Sequence, residues 1–269
     1  MKPESLSQAP EGIIKKMKMS LGPQRLGKFG DFVKEYERAR RSYPLEVFRY
    51  FQQAVDIKNP FILDLGCGTG ISTRQLVSLG RVVGCDPDSI MLTAARGHKT
   101  PTGIKYVVGK ANKLPFRDAV FDVVTAFAAF HWFNDKKSIA EIRRVLKPGG
   151  IVFIVNRTGL RSWGEGYRMA IIKSIGQEVA AFREDLYKPE RDLKGNGFKK
   201  NQVKSWRYTE LYTLSNALQY VQSISIWNSV PKQKRQQALL GVKKYFEKML
   251  KRTNKIERKL TVKVVIGRK

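Results

Sequence analysis

Residues 63–70 read Leu63-Asp64-Leu65-Gly66-Cys67-Gly68-Thr69-Gly70, and Asp86 closes the next apolar run, Val82-Val83-Gly84-Cys85. Glycines at 66, 68 and 70 allow a tight turn directly after a strand and a close approach of backbone to a ligand. A helix that follows such a loop aims its unpaired N–H groups at that ligand. An acid at the tip of the second strand can accept two hydrogen bonds from a ribose diol. The chemistry indicated is nucleoside binding on a βαβ unit. The spacing is G-x-G-x-G, not the G-x-G-x-x-G of dinucleotide sites, and no Lys-Ser/Thr pair follows, so a Walker phosphate loop is excluded.

The surrounding pattern supplies the scaffold. Short apolar runs alternate with amphipathic stretches, which predicts an α/β domain built on a parallel sheet flanked by helices. Strands are expected at 61–65, 81–86, 104–108, 121–126 and 151–155, with helices at about 70–79, 88–97 and 135–146. Lys147-Pro148-Gly149-Gly150 reads as a helix stop and turn. Upstream, the chain to about Gly30 reads as irregular. A helix is expected from Asp31 until Pro44 interrupts it, and a second over Leu45 to Ala54. Downstream of Asn156 the rhythm changes. Helical patches near 164–182 and a loop at Lys194–Phe198 precede strands at 203–209 and 259–267, with helices at about 215–224 and 231–252 between them. The domain reading is amino-terminal cap helices over 1–59 and a ligand-binding domain over 60–269, with 157–200 as a lid insertion.

Composition narrows the setting. The 269 residues carry 51 Lys+Arg against 23 Asp+Glu, a net charge of +28, and residues 158–269 hold +16 of it. Such a field favours anionic partners: nucleic acid, an acidic carrier protein or an anionic small molecule. No apolar run reaches the roughly 18 residues needed to span a membrane. Two cysteines, Cys67 and Cys85, make neither a disulfide framework nor a metal site. The expectation is a cytoplasmic protein with no membrane association and no metal.

Taken together, the segments resemble class I S-adenosylmethionine-dependent methyltransferases of the "methyltransferase 11" type. The matching residues are Leu63–Gly70, Gly84-Cys85-Asp86-Pro87 with Met91-Leu92, Leu114-Pro115-Phe116, Phe121-Asp122-Val123-Val124 and Arg144-Val145-Leu146-Lys147-Pro148-Gly149-Gly150. Tyr36-x-x-x-Arg40-x-x-Tyr43-Pro44 and Phe130-His131-Trp132-Phe133 resemble, more loosely, the trans-aconitate methyltransferase-like branch. The resemblance implies a Rossmann-like, mostly parallel seven-stranded sheet with helices on both faces. S-adenosylmethionine fits the loop better than NAD, because Asp64 and the loop offer a place for an amino-acid end. By resemblance, Asp64, Gly66, Cys67, Gly68 and Gly70 would hold the methionine end, and Asp86 the ribose hydroxyls. Pro87 and Met91 would pack near the adenine, with Ala111 and Asn112 along its edge and Phe127 toward the methyl group. Where the family carries an acid before that alanine, this chain has Lys110, which donates only. A backbone carbonyl or Asn112 would then meet the adenine amino group.

Methyl transfer is an in-line displacement at carbon that needs no metal, and alignment of the reactants can supply about 7–11 kcal/mol of the barrier. Ligands bind outside the carboxyl ends of the strands in such sheets, which places residues 127–133 at the reaction. His131 is the one side chain there suited to act as a base near pH 7; hydrogen bonding to substrate, or bracing the loop beside Trp132, is the plainer role. Tyr36, Arg40, Tyr43 and Trp132 are the acceptor-binding candidates, Arg40 as a bidentate partner for a carboxylate. Trp163, Tyr167, Phe182 and Tyr187 would line the lid or form plain core. The leading expectation is O-methylation of a carboxylate or hydroxyl on a small molecule. The alternatives are an RNA methyltransferase, methylation of an acid carried on a protein, and a cofactor-binding interaction protein without catalysis.

Overall fold

The computed structural model describes residue 33, residue 37 and residues 40–98, 103–159, 161–179 and 188–269. Tyr36, Phe182, Tyr187 and the stretch expected to be irregular up to Gly30 lie outside the described residues. So does most of the helix expected from Asp31.

Five parallel strands form one half of the sheet: β1 (Phe61–Leu65), β2 (Arg81–Asp86), β3 (Lys105–Val108), β4 (Phe121–Phe127) and β5 (Leu146–Gly159). Two more, β6 (Lys199–Tyr212) and β7 (Ile256–Arg268), complete a seven-stranded sheet of order β3-β2-β1-β4-β5-β7-β6, in which β7 runs antiparallel to both neighbours. The intervening helices are α1 (Leu45–Ala54), α2 (Ile71–Leu76), α3 (Ser89–Gly97), α4 (Lys136–Val145), α5 (Arg161–Ile175), α6 (Pro189–Lys194), α7 (Leu214–Gln222), α8 (Ser225–Asn228) and α9 (Arg235–Thr253).

Both faces of the parallel sheet are covered, which is why its strands read as near-continuous apolar runs. Val47, Phe48 and Phe51 of α1 and Leu76 of α2 pack on Ile62, Val123, Phe153 and Val262. Ile139, Ile142 and Val145 of α4 pack on Leu63, Leu65, Val124 and Val152 on the other face. Asp88 starts α3 by accepting from the N–H of Ile90 at 2.9 Å, and Asp135 starts α4 by accepting from that of Ser138 at 3.0 Å. Each carboxylate satisfies a helix-terminal donor and opposes the helix dipole.

Three strands are longer than their apolar patterns suggest. Lys147–Gly150 is not a free turn but bulges out of β5, between the pairs Phe121↔Leu146 and Val123↔Ile151, with Gly149 at φ +73°. Beyond Val155, the last residue of β5 paired to β4, β5 stays paired to β7 as far as Gly159↔Leu260. β6 pairs with β7 from Lys199 to Tyr212. The ribbon β5-β7-β6 thus overhangs the carboxyl ends of β1 and β4. Ladder pairing, not burial, defines these extensions, so their polar residues hide them from an apolar pattern.

A second core sits against the overhang. Trp163, Tyr167, Ile171 and Ile175 form one stripe of α5 and meet Ala238, Val242 and Phe246 of α9, together with Tyr212, Tyr220 and Trp227. The helical layer therefore draws on residues 163–179 and also on 212–256. The two long helices touch closely because Gly241 leaves no side chain against Ser174 and the Ala170 carbonyl. No helix among the described residues is long and apolar enough to cross a membrane.

Candidate active site

The glycine loop lies between β1 and α2, with Gly66, Gly68 and Gly70 all in the left-handed region at φ +71°, +55° and +79°. A Cβ at Gly66 would stand 2.6 Å from that of Ala129, and one at Gly70 would strike the Tyr106 hydroxyl. The loop is therefore clamped between β3 and the residues that follow β4. Its amides are largely spent internally. Gly66 and Cys67 donate to the Cys85 carbonyl at 2.8 and 3.2 Å, Gly70 donates to the Cys67 carbonyl at 2.9 Å, and Gly68 donates to Asp86 Oδ2 at 2.9 Å. The Cys67 thiol turns inward, and burial pushes its pKa well up.

Asp64 does not face the ligand space, contrary to the expectation that it holds the methionine end. It is fully buried, and three hydroxyls occupy its carboxylate: Ser72 at 2.8 Å and Thr73 at 2.7 Å on Oδ2, and Thr125 at 2.8 Å on Oδ1. The register pairs Asp64 with Thr125 of β4 and turns both toward the face where α2 packs. Asp64 braces the start of α2 onto two strands. Burial raises its pKa, and the three hydroxyls oppose that rise.

Asp86 stands where expected, at the carboxyl end of β2. Oδ2 accepts from Gly68 N–H and Oδ1 from Asp88 N–H, both at 2.9 Å. An ionised carboxylate has about four acceptor positions, so each oxygen keeps room for one further donor. Pro87 is exposed beside it, but Met91 is only 3% exposed and turned into the protein. The apolar surface near Asp86 comes instead from Ile90, 55% exposed, and from Val108, 53% exposed and paired with Asp86 across the sheet. Both were missed in the sequence; their signal was an apolar residue at a helix start and another at a strand end. Ala111 packs on the core, Asn112 is exposed, and the Lys110 carbonyl accepts from Lys113 N–H at 2.9 Å in a turn.

Phe127 also departs from expectation. It stacks on Phe48 at 5.9 Å, meets Tyr43 edge-on at 4.7 Å and lies within the core under α1, so it shapes the site from below. The reversal comes at Ala128, whose φ of +51° and bond to the Val155 carbonyl at 2.7 Å turn the chain across the strand ends. His131 and Trp132 follow on a short 3-10 turn anchored by the fully buried Phe130, with their ring centres 4.7 Å apart. Trp132 is exposed. Burial, aided by the nearby Arg40 charge, pushes the His131 pKa down from 6.5 to about 4. The imidazole is neutral at pH 7 but is a weak base.

Arg40 reaches the Ser223 carbonyl at 3.4 Å and lies over the Tyr220 ring, 5.4 Å from its centre. Tyr43 stacks under the guanidinium of Arg157 at 3.8 Å. The structure thus brings Arg40, Tyr43, His131 and Trp132 to one end of the sheet, on the same side as the glycine loop and Asp86. Trp163 and Tyr167 are core residues of the helical layer. Among the described residues, no cluster of His, Cys, Asp or Glu could hold a metal ion.

This geometry has clear counterparts. The family model described as "Methyltransferase domain" matches residues 63–154. An uncharacterized methyltransferase of Mycobacterium tuberculosis is 35% identical over 163 residues, covering 60% of this chain and 64% of the relative. The chain thus spans a little under two thirds of that relative's length. A protein assigned as a type II methyltransferase from Anaeromyxobacter dehalogenans superposes with a TM-score of 0.60 at 20% identity, over 85% of this chain and 97% of its own. The Haemonchus contortus phosphoethanolamine N-methyltransferase 2, solved in complex with S-adenosyl-L-methionine, superposes with a TM-score of 0.52 at 21% identity, over 90% of this chain and 60% of its own. At such identities the two structures speak for the fold. The domain match over the glycine loop, Asp86 and the strands that position them identifies residues 63–154 as a methyltransferase domain, and the chain as a whole is similar to methyltransferases.

Proposed function

We propose that the protein transfers a methyl group to an oxygen, on a carboxylate or hydroxyl, of a small anionic molecule in the cytoplasm. One observation carries the reading. Asp86, with acceptor positions to spare beside a left-handed glycine loop, shares one end of the sheet with Arg40, Tyr43 and His131. S-adenosylmethionine, when bound, supplies an electrophilic methyl group on a sulfonium. Asp86 would accept from the ribose hydroxyls, and Pro87, Ile90 and Val108 would offer apolar surface to the base. The glycine loop would give backbone, not side chains, to the methionine end. Arg40 would attract and orient the acceptor. A carboxylate oxygen needs no proton removed before attack, whereas a hydroxyl needs a base. The depressed basicity of His131 therefore favours the carboxylate, with His131 as a hydrogen-bonding and orienting group. Two buried free cysteines suit a reducing compartment.

Calorimetry with S-adenosylmethionine tests the core of this reading. Binding should occur and weaken about tenfold or more in Asp86→Asn, since a charge-assisted hydrogen bond contributes about 1.5–3 kcal/mol. No binding, or equal binding by the variant, would refute it. A screen of cell extract with methyl-labelled cofactor then identifies the acceptor, and label on RNA alone would overturn the small-molecule part.

A further inference from the structure

The overhanging ribbon carries a charge imbalance that the methyl-donor site does not use. Arg157 of β5, Glu210 of β6 and Arg258 of β7 meet across three strands, with side chains 8%, 5% and 9% exposed. Glu210 Oε2 receives Arg258 Nη1 at 3.1 Å and the Tyr212 hydroxyl at 2.7 Å; Oε1 lies 3.7 Å from Arg157 Nη1. Arg157 also donates from Nη1 and Nη2 to the Arg41 and Ser42 carbonyls, which carry no charge, so among the described residues this one carboxylate serves both guanidiniums. The nearby phenols add no charge, because burial raises the pKa of Tyr208 to about 12 and pushes Tyr212 up as well. The cluster is therefore cationic by one unit in a desolvated place, where unpaired charge is strongly unfavourable.

Three buried donors point the same way. Arg157 Nε, Trp163 Nε1 and the Tyr208 hydroxyl have no hydrogen-bond partner among the described residues. Trp163 lies under Arg258, 5.7 Å from ring centre to guanidinium, and Tyr208 feels the charges of Arg157, Glu210 and Arg258. Buried donors left without a partner are unfavourable, and an acceptor group would satisfy both these donors and the surplus charge. The cluster also adjoins the acceptor residues. Arg157 stacks on Tyr43 at 3.8 Å, and Arg258, 4.4 Å from the Tyr220 centre, shares that ring with Arg40.

We infer that Arg157 and Arg258, with Trp163 and Tyr208, form an oxyanion subsite that binds an anionic group of the methyl acceptor remote from the reacting oxygen. This deepens the proposed function and rests on it. A carboxylate or phosphate held by two guanidiniums is a poor nucleophile, so the group anchored there selects the acceptor and is not itself methylated.

The test is calorimetry on the protein loaded with S-adenosylhomocysteine. Succinate and glycerol 3-phosphate serve as probes, and succinamide is the neutral isostere. One or both anions should bind and succinamide should not; the stronger anion identifies the group as carboxylate or phosphate. Arg258→Gln should weaken anion binding about tenfold or more, with Arg258→Lys restoring part of it, as expected for loss and return of a charged partner. Arg157→Gln leaves the Glu210–Arg258 pair balanced but gives up the bonds to the Arg41 and Ser42 carbonyls; with its fold verified by circular dichroism, it should lose affinity to a similar degree. The proposal is overturned if neither anion binds, if chloride displaces them at equal concentration, or if both glutamine variants bind like the parent. Failure of S-adenosylhomocysteine to bind in the loading step would instead strike the methyltransferase reading.

Discussion

The depressed basicity of His131 has a measurable effect on stability. Its pKa is about 4 in the folded protein against 6.5 in the unfolded chain, with burial the larger cause and Arg40 the lesser. A histidine shifted in this direction takes up its proton mainly when unfolded. Its contribution is complete above pH 6.5, is lost as pH falls through the window from 6.5 to 4, and is constant below that. Integrating proton uptake by the two states from pH 7 to pH 5 gives a loss of about 2 kcal/mol, and the full window about 3 kcal/mol. The perturbation is His131→Gln, which keeps a polar side chain of similar reach but does not titrate. Urea unfolding of parent and variant at pH 7 and pH 5 yields a double difference in which the contributions of groups common to both proteins cancel. The parent should lose about 2 kcal/mol more than the variant between these values. A double difference inside the roughly 0.5 kcal/mol scatter of such comparisons would show that His131 is not desolvated, and would restore it as a base near neutrality. The same variant should retain cofactor binding.

Two further outcomes follow from the loop. Asp64→Ala removes the acceptor of three buried hydroxyls and should destabilise the protein by about 3 kcal/mol or more in denaturant titration; weakened cofactor binding with unchanged stability would instead place Asp64 in the ligand site. Gly70→Ala forces an alanine into φ +79° and against Tyr106, so S-adenosylmethionine binding should fall sharply, with partial rescue when Tyr106→Leu makes room. Absence of any rescue would show that the backbone conformation alone forbids the side chain.

The parallel half of the sheet was legible because its signals are local. The strand ending at Leu65, the glycine loop and the strand ending at Asp86 are contiguous, and each residue type answers a requirement of backbone geometry or hydrogen bonding. α1, β1 and β2 appear with their expected bounds. Residues whose role depends on which way a strand faces were read less well. Asp64 looked like a ligand contact because it adjoins the loop, and Met91 because it adjoins Asp86. In the fold, pairing with β4 turns Asp64 toward Thr125, and the helical phase of α3 presents Ile90 in place of Met91.

The order of residues along the chain thus settles that a left-handed glycine loop forms after β1 and which acid sits at the tip of β2 beside it, because a few consecutive backbone angles and one strand tip suffice. It does not settle what lies across from that tip. Arg157, Glu210 and Arg258 stand far apart in sequence and look like ordinary members of a basic chain. Antiparallel pairing of β5, β7 and β6 beyond the parallel sheet brings them together. The helical layer then excludes water, and exclusion of water turns an unremarkable charge count into a buried surplus of one cation.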